Sequence, residues 1–97
     1  MEIRLLYFDS CPNVDEAERR LRQAIGDRTD VSLVLQQVLD AEEAERVGLH
    51  GSPTILIDGD DPFGSGQAAS WSCRLYLPPD GSDGVPSLQR LTEVLAR

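Results

Sequence analysis

A short apolar segment that leads directly into a cysteine and a proline places the strongest limit on how this chain folds. Residues 3–8, "IRLLYF", carry one charge among apolar side chains, a pattern typical of a strand buried on both faces of a sheet. Cys11 and Pro12 follow, and proline suits the first position of a helix because that N–H has no partner there anyway. Apolar residues then recur at helical spacing, so the pattern predicts a helix over 12–25.

The next segment repeats this alternation of strand and helix. Residues 31–38, "VSLVLQQV", are rich in Val and Leu and predict a second strand. Asp40, with Glu43 three positions later, is the pattern of a capping box at the start of a helix over 41–47. Gly48 is a natural end for that helix, since glycine readily adopts the left-handed conformation found at helix ends.

Two further strands and a third helix complete the predicted chain. The strands are expected at 52–59 and 73–77, joined as a hairpin, and the helix lies within 86–97. The apolar residues of that helix fall on one face: Leu88, Leu91, Val94 and Leu95. Because a strand–helix–strand start favours a parallel pair, we expect one α/β domain over 1–97 with the order β-α-β-α-β-β-α. Its four mixed strands are expected in the order 2-1-3-4, flanked by the three helices.

Composition argues against several classes of partner. The formal net charge is -8, whereas nucleic acids and anionic membranes require a basic face. Arg19, Arg20 and Arg22 stand close together, but the neighbouring Glu16 and Glu18 predict a solvated helix face instead. No apolar run approaches the roughly 20 residues of a membrane span, and "MEIRLLYF" lacks the features of a signal peptide. We therefore expect a cytoplasmic location, where thiols stay reduced.

Two short motifs in this predicted order resemble the thioredoxin superfamily. "SCPN" (10–13) occupies the place of that family's Cys-x-x-Cys or Cys-x-x-Ser site, and "GSPT" (51–54) looks like its cis-proline loop. With "DPF" and "SCRLY" further on, the chain is similar to small bacterial thioredoxin-like and glutaredoxin-like proteins. The resemblance implies a thioredoxin-like fold with Pro53 in the cis form and the Ser52 backbone free to pair with a thiol-bearing peptide.

The resemblance also implies the site residues and the partners. Cys11 is the expected redox-active residue, and the expected substrate-binding residues are Pro12, Ser52, Pro53 and Thr54. The implied partner is a disulfide-containing protein or a low-molecular-weight thiol, with no cofactor. Val14 stands where a second cysteine of the motif would be. We therefore expect monothiol chemistry, in which Cys11 forms a mixed disulfide that an external thiol releases.

Cys11 itself permits two interpretations. A thiol at a helix start faces unpaired N–H groups and the positive end of the helix dipole, which favour the reactive thiolate. Alternatively, Cys11 is a buried structural residue, since free cysteines are often buried.

Cys73 is the other thiol of the chain, 62 positions after Cys11. In a hairpin, the fourth strand begins beside the end of the third, at the pole of the sheet opposite Cys11. The Cα atoms of a disulfide lie within about 7 Å of each other, so we expect no bond between the two cysteines. Only a long loop that folds back, or a bulge that shifts the register, would let them meet. Cys73 is then structural or a slow resolving thiol.

Other features leave alternatives open. The only histidine, His50, either activates a thiol or lies on a surface loop. Phe63 and Trp71 either cover the Cys11 region as a lid or anchor their loop on the core. Two cysteines and one histidine fall short of a closed zinc site, so no metal site is expected within one chain. Two rival functions remain: a module that binds a soft metal or an iron–sulfur cluster shared between subunits, and a redox-silent interaction domain.

Overall fold

The computed structural model describes residues 1–9, 11–63, 70–73, 76, 81–82 and 84–96, with the backbone alone at His50, 70–73 and Ser82. Within these residues the helices are α1 (Val14–Ile25), α2 (Ala41–Val47) and α3 (Leu88–Leu95). The strands are β1 (Glu2–Phe8), β2 (Ser32–Val38), β3 (His50–Ser52), β4 (Thr54–Ile57), β5 (Ser70–Cys73), β6 (Gly81–Ser82) and β7 (Val85–Pro86). None of the described helices is long and apolar enough to cross a membrane.

A mixed sheet with the strand order β2-β1-β4 forms the centre of the fold. β1 and β2 are parallel, and Phe8 at the end of β1 lies opposite Val38. β4 is antiparallel to β1, with Thr54 opposite Leu6. The α/β class and the parallel start predicted from the sequence are therefore confirmed.

The side chains of β1 divide the core into two layers. Ile3 and Leu5 point to one face of the sheet and pack with residues of α1 and α3, including Leu21 and Leu91. Leu6 points to the other face and packs with a smaller cluster beside α2: Val38, Ala44 and Leu49. These three residues of β1 are fully buried, which confirms the prediction of a strand buried on both faces.

α2 has the limits that its local sequence predicts. Asp40 Oδ1 accepts a hydrogen bond from the Glu43 N–H at 2.7 Å, so the predicted N-cap is confirmed. Gly48 ends the helix in the left-handed conformation with φ of 84°. Both the N-cap and the glycine at the end of the helix act within one turn of the chain, so they can be recognised from the sequence.

The third predicted strand is divided in two. Residues 52–59 were expected to form one strand, whereas Pro53 separates β3 from β4. Proline has no N–H to donate to a strand ladder, so it interrupts the pairing at this position.

The strand that contains Cys73 departs further from prediction. β5 pairs with β3 in the parallel sense, with Ser70 opposite His50 and Cys73 opposite Ser52. The prediction that Cys73 lies at the far pole of the sheet is therefore wrong. Of the predicted strand 73–77, residues 74, 75 and 77 lie outside the described part of the chain, and Tyr76 is not in a strand.

Candidate functional site

Cys11 lies in a tight turn directly after β1. Its N–H donates to the Phe8 carbonyl at 3.3 Å, and the residue is only 8% exposed. α1 begins at Val14 with Asn13 as its N-cap. Pro12 is therefore an exposed turn residue and not the first residue of the helix, as the sequence had suggested. The helix starts later because Cys11 closes the turn with Phe8 before the helical conformation begins.

The proline loop forms the second part of the site. The Ser52–Pro53 peptide bond is cis, as expected from the motif "GSPT". Ser52, Pro53 and Thr54 are all buried. The Thr54 hydroxyl donates to the Gly51 carbonyl, which closes the loop on itself.

Phe8 joins the two parts of the site through its backbone. Its N–H donates to Ser52 Oγ at 3.3 Å, while its carbonyl accepts from the Cys11 N–H. Cys11 and the proline loop are thus both hydrogen-bonded to the Phe8 backbone, at the carboxyl end of β1. Phe8 was not predicted as a site residue, because its contribution comes from backbone groups that no side-chain motif reveals.

Tyr76 is a second residue that sequence analysis missed. Its hydroxyl donates to the Pro53 carbonyl at 2.6 Å, and the residue is 3% exposed. Its ring packs edge-on against Phe63, with centroids 5.6 Å apart. Phe63 also packs against the main core, which favours the anchoring interpretation over the lid. The Trp71 side chain lies outside the part of the chain that the structure describes.

The backbone of Ser52 is occupied, contrary to expectation. A thiol-bearing peptide was expected to pair with it, but β5 of the same chain holds that place, with Cys73 in register. The proposed substrate edge is therefore covered by the chain's own strand.

One of the two acidic side chains in the first turn of α1 is paired with arginines. Arg19 and Arg20 both donate to the Glu16 carboxylate, and these hydrogen bonds, with that of Arg19 the stronger influence, lower the pKa of Glu16 from its ordinary value. Arg20 also donates to the Pro86 carbonyl at 3.0 Å, which ties α1 to β7. Two guanidinium groups thus offset the charge of Glu16, one of the two acids in the first turn of α1.

The remaining candidates add little to this site. The His50 backbone lies in β3, and its side chain is outside the described part of the structure. Among the described residues, no group of three or more His, Cys, Asp or Glu side chains could hold a metal ion. A surface cavity of about 220 Å³ lies at the opposite end of the sheet. It is lined by Arg22, Ile25, Gly26, Val31 and Leu33, and contains no nucleophile.

The assembled site consists of one thiol, a buried cis-proline loop and a second cysteine in the adjacent strand. A thiolate in such a place can attack sulfur or bind a soft metal, and the second reaction needs ligands from another molecule. Comparison with protein-family models, with curated proteins and with solved structures finds no match for this chain. The chemistry of the site therefore has to be inferred from its own residues.

Proposed function

We propose that the protein carries out thiol–disulfide exchange with Cys11 as the nucleophile. The proposal includes a thioredoxin-like fold of the glutaredoxin type, in which the four strands predicted from the sequence lie in the order 2-1-3-4. It also includes a cytoplasmic location, where the thiol is kept reduced. The observation that carries the proposal is the pair of Phe8 backbone hydrogen bonds, which bind Cys11 and Ser52 to the same residue.

The proposed reaction begins at the sulfur of Cys11. The thiolate attacks one sulfur of a substrate disulfide, a mixed disulfide forms with Cys11, and the other half of the substrate leaves as a thiolate. A second thiol then releases the bound half. The substrate is a disulfide-containing protein or a low-molecular-weight disulfide. Pro12 contributes exposed surface next to Cys11 in the chain, while Ser52, Pro53 and Thr54 form the buried loop that is bound to Phe8 through Ser52.

The burial of Cys11 sets a condition on this reaction. Because Cys11 is only 8% exposed, its thiol can react with a disulfide only when the residues packed over it move. Such local opening requires less free energy than global unfolding. A reactive Cys11 should therefore exchange with a small disulfide in the native state, at a rate independent of global unfolding.

A denaturant series tests this function. The Cys73→Ser variant leaves Cys11 as the only thiol, and its reaction with bis(2-hydroxyethyl) disulfide is followed by intact mass. We expect the rate to stay nearly constant in urea below the unfolding transition. The matched Cys11→Ser variant reports any reaction of Cys73. A rate that rises steeply with urea, in parallel with the unfolding rate, would contradict the proposal.

The same burial favours one alternative, a redox-silent domain in which Cys11 is structural. In that case the thiol reacts only in the unfolded chain, and the rate follows the denaturant dependence of unfolding. The experiment above therefore separates the two functions directly.

A further inference from the structure

The register of β5 brings a second cysteine, Cys73, into the account of the site. β5 lies parallel to β3, and its last residue, Cys73, stands opposite Ser52. Neighbouring strands are about 4.8 Å apart. Ser52 Oγ accepts a hydrogen bond from the Phe8 N–H, and the Phe8 carbonyl accepts one from the Cys11 N–H. Cys11 and Cys73 are therefore connected through only two intervening residues, Phe8 and Ser52.

An irregularity in the ladder produces this register. His50 pairs with Ser70 and Ser52 pairs with Cys73, so β5 carries one more residue than β3 between the two pairs. Regular pairing would place Ser72 opposite Ser52 instead. The extra residue is a bulge, a feature that commonly re-aims residues next to functional sites.

We propose that Cys73 is the resolving cysteine for Cys11; this inference rests on the thiol–disulfide exchange proposed above and supplies its second thiol. The strand with which β5 pairs is only three residues long, so few backbone hydrogen bonds oppose its movement. That freedom matters because the Cα atoms of a disulfide lie within about 7 Å, and Ser52 stands between the two cysteines. β5 thus occupies the edge expected for a substrate peptide, with the backbone of Cys73 opposite Ser52.

The exchange balances without any further reactant. Cys11 attacks the substrate disulfide and releases the first substrate thiolate. Cys73, as a thiolate, then attacks the Cys11 sulfur and releases the second substrate thiolate as the Cys11–Cys73 bond forms. The protein loses two thiol protons and is oxidised by two electrons, and the substrate disulfide is reduced to two thiols. An external thiol later reduces the protein for another cycle.

Oxidised glutathione is the probe for this reaction. Reduced wild-type protein is mixed with an excess of it under native conditions, quenched with acid and weighed intact, and disulfide-linked peptides are mapped after digestion. We expect a product two hydrogens lighter than the reduced protein, with residues 11 and 73 linked. The glutathione adduct should be transient in the wild type and should accumulate in the Cys73→Ser variant. Cys73→Ala serves as a second variant, and circular dichroism confirms that both remain folded.

Each other outcome overturns the inference in a distinguishable way. A stable glutathione adduct in the wild type, equal in amount to that of Cys73→Ser, shows that Cys11 reacts but Cys73 does not resolve it. A dimer linked through disulfides shows that the second thiol comes from another chain. No adduct in either folded protein refutes both the inference and the proposed exchange function. The wild-type result decides the matter even where a variant folds poorly.

Discussion

At the scale of single residues, the site is held in position by hydrogen-bonding groups that take no part in the proposed exchange. Phe8 contributes its backbone N–H and carbonyl, which bind Ser52 and Cys11. Tyr76 contributes a hydroxyl that binds the Pro53 carbonyl. A buried hydrogen bond contributes about 1 kcal/mol on average, and more when its loss leaves a buried group unpaired. These residues therefore position the proposed nucleophile and the loop behind it.

The Tyr76 hydroxyl gives the first prediction. Tyr76→Phe removes the hydrogen bond to Pro53 while the ring remains packed on Phe63, so we expect a loss of about 1–3 kcal/mol in the free energy of unfolding. Urea denaturation followed by circular dichroism measures it. The matched control is Tyr7→Phe, because Tyr7 is half-buried and its hydroxyl has no hydrogen bond among the described residues. Equal stability of the two variants would contradict the assignment.

At the scale of elements, helix limits set by neighbouring residues could be predicted from the sequence, whereas pairing between distant segments could not. α2 has the predicted limits because Asp40 and Gly48 act within one turn of the helix. The start of α1 was placed two residues early, since the turn that binds Cys11 to Phe8 depends on where β1 ends. The pairing of β5 with β3 was missed, because register between segments 20 residues apart leaves no periodic trace in either segment. Tyr76 went unrecognised for the same reason.

The cap of α2 gives the second prediction. Asp40→Ala removes the acceptor for the Glu43 N–H, and we expect stability to fall by about 1 kcal/mol. Asp40→Asn retains a side-chain oxygen of the same reach and should lose much less. Urea denaturation of both variants measures the difference. If alanine and asparagine have the same effect, the cap does not contribute to stability and only the charge matters.

At the scale of the whole molecule, acidity and charge pairing determine the pH dependence. The chain carries a net charge of -8, and Arg19 and Arg20 lower the pKa of Glu16 in the folded state. A carboxyl group with a lowered folded pKa stabilises the fold above its ordinary pKa, here 4.5, and this contribution is lost as the pH falls through the lowered value. The Glu16 side chain is 34% exposed, so the contribution is modest and sensitive to salt.

Glu16→Gln tests this pH dependence. We expect the wild type to melt at a higher temperature than the variant at pH 7, and the difference to disappear as the pH falls below 4.5. Melting temperatures across this range measure it. Glu45→Gln is the control, because it removes one exposed carboxylate that has no ion pair among the described residues. A difference that is constant with pH would show that Glu16 stabilises the fold through something other than its charge.

A bond between Cys11 and Cys73 would also change the stability of the whole chain. The two residues stand 62 positions apart, and closing a loop of this size in the unfolded chain removes entropy equivalent to about 4 kcal/mol. We therefore expect the oxidised wild type to unfold at a higher urea concentration than the reduced form. The Cys73→Ser protein, treated with the same oxidant, should show no such gain, because its adduct closes no loop. An oxidised protein that is less stable than the reduced one would mean that the bond forces β5 and the Cys11 turn away from their native positions, and that this strain exceeds the stabilisation from loop closure.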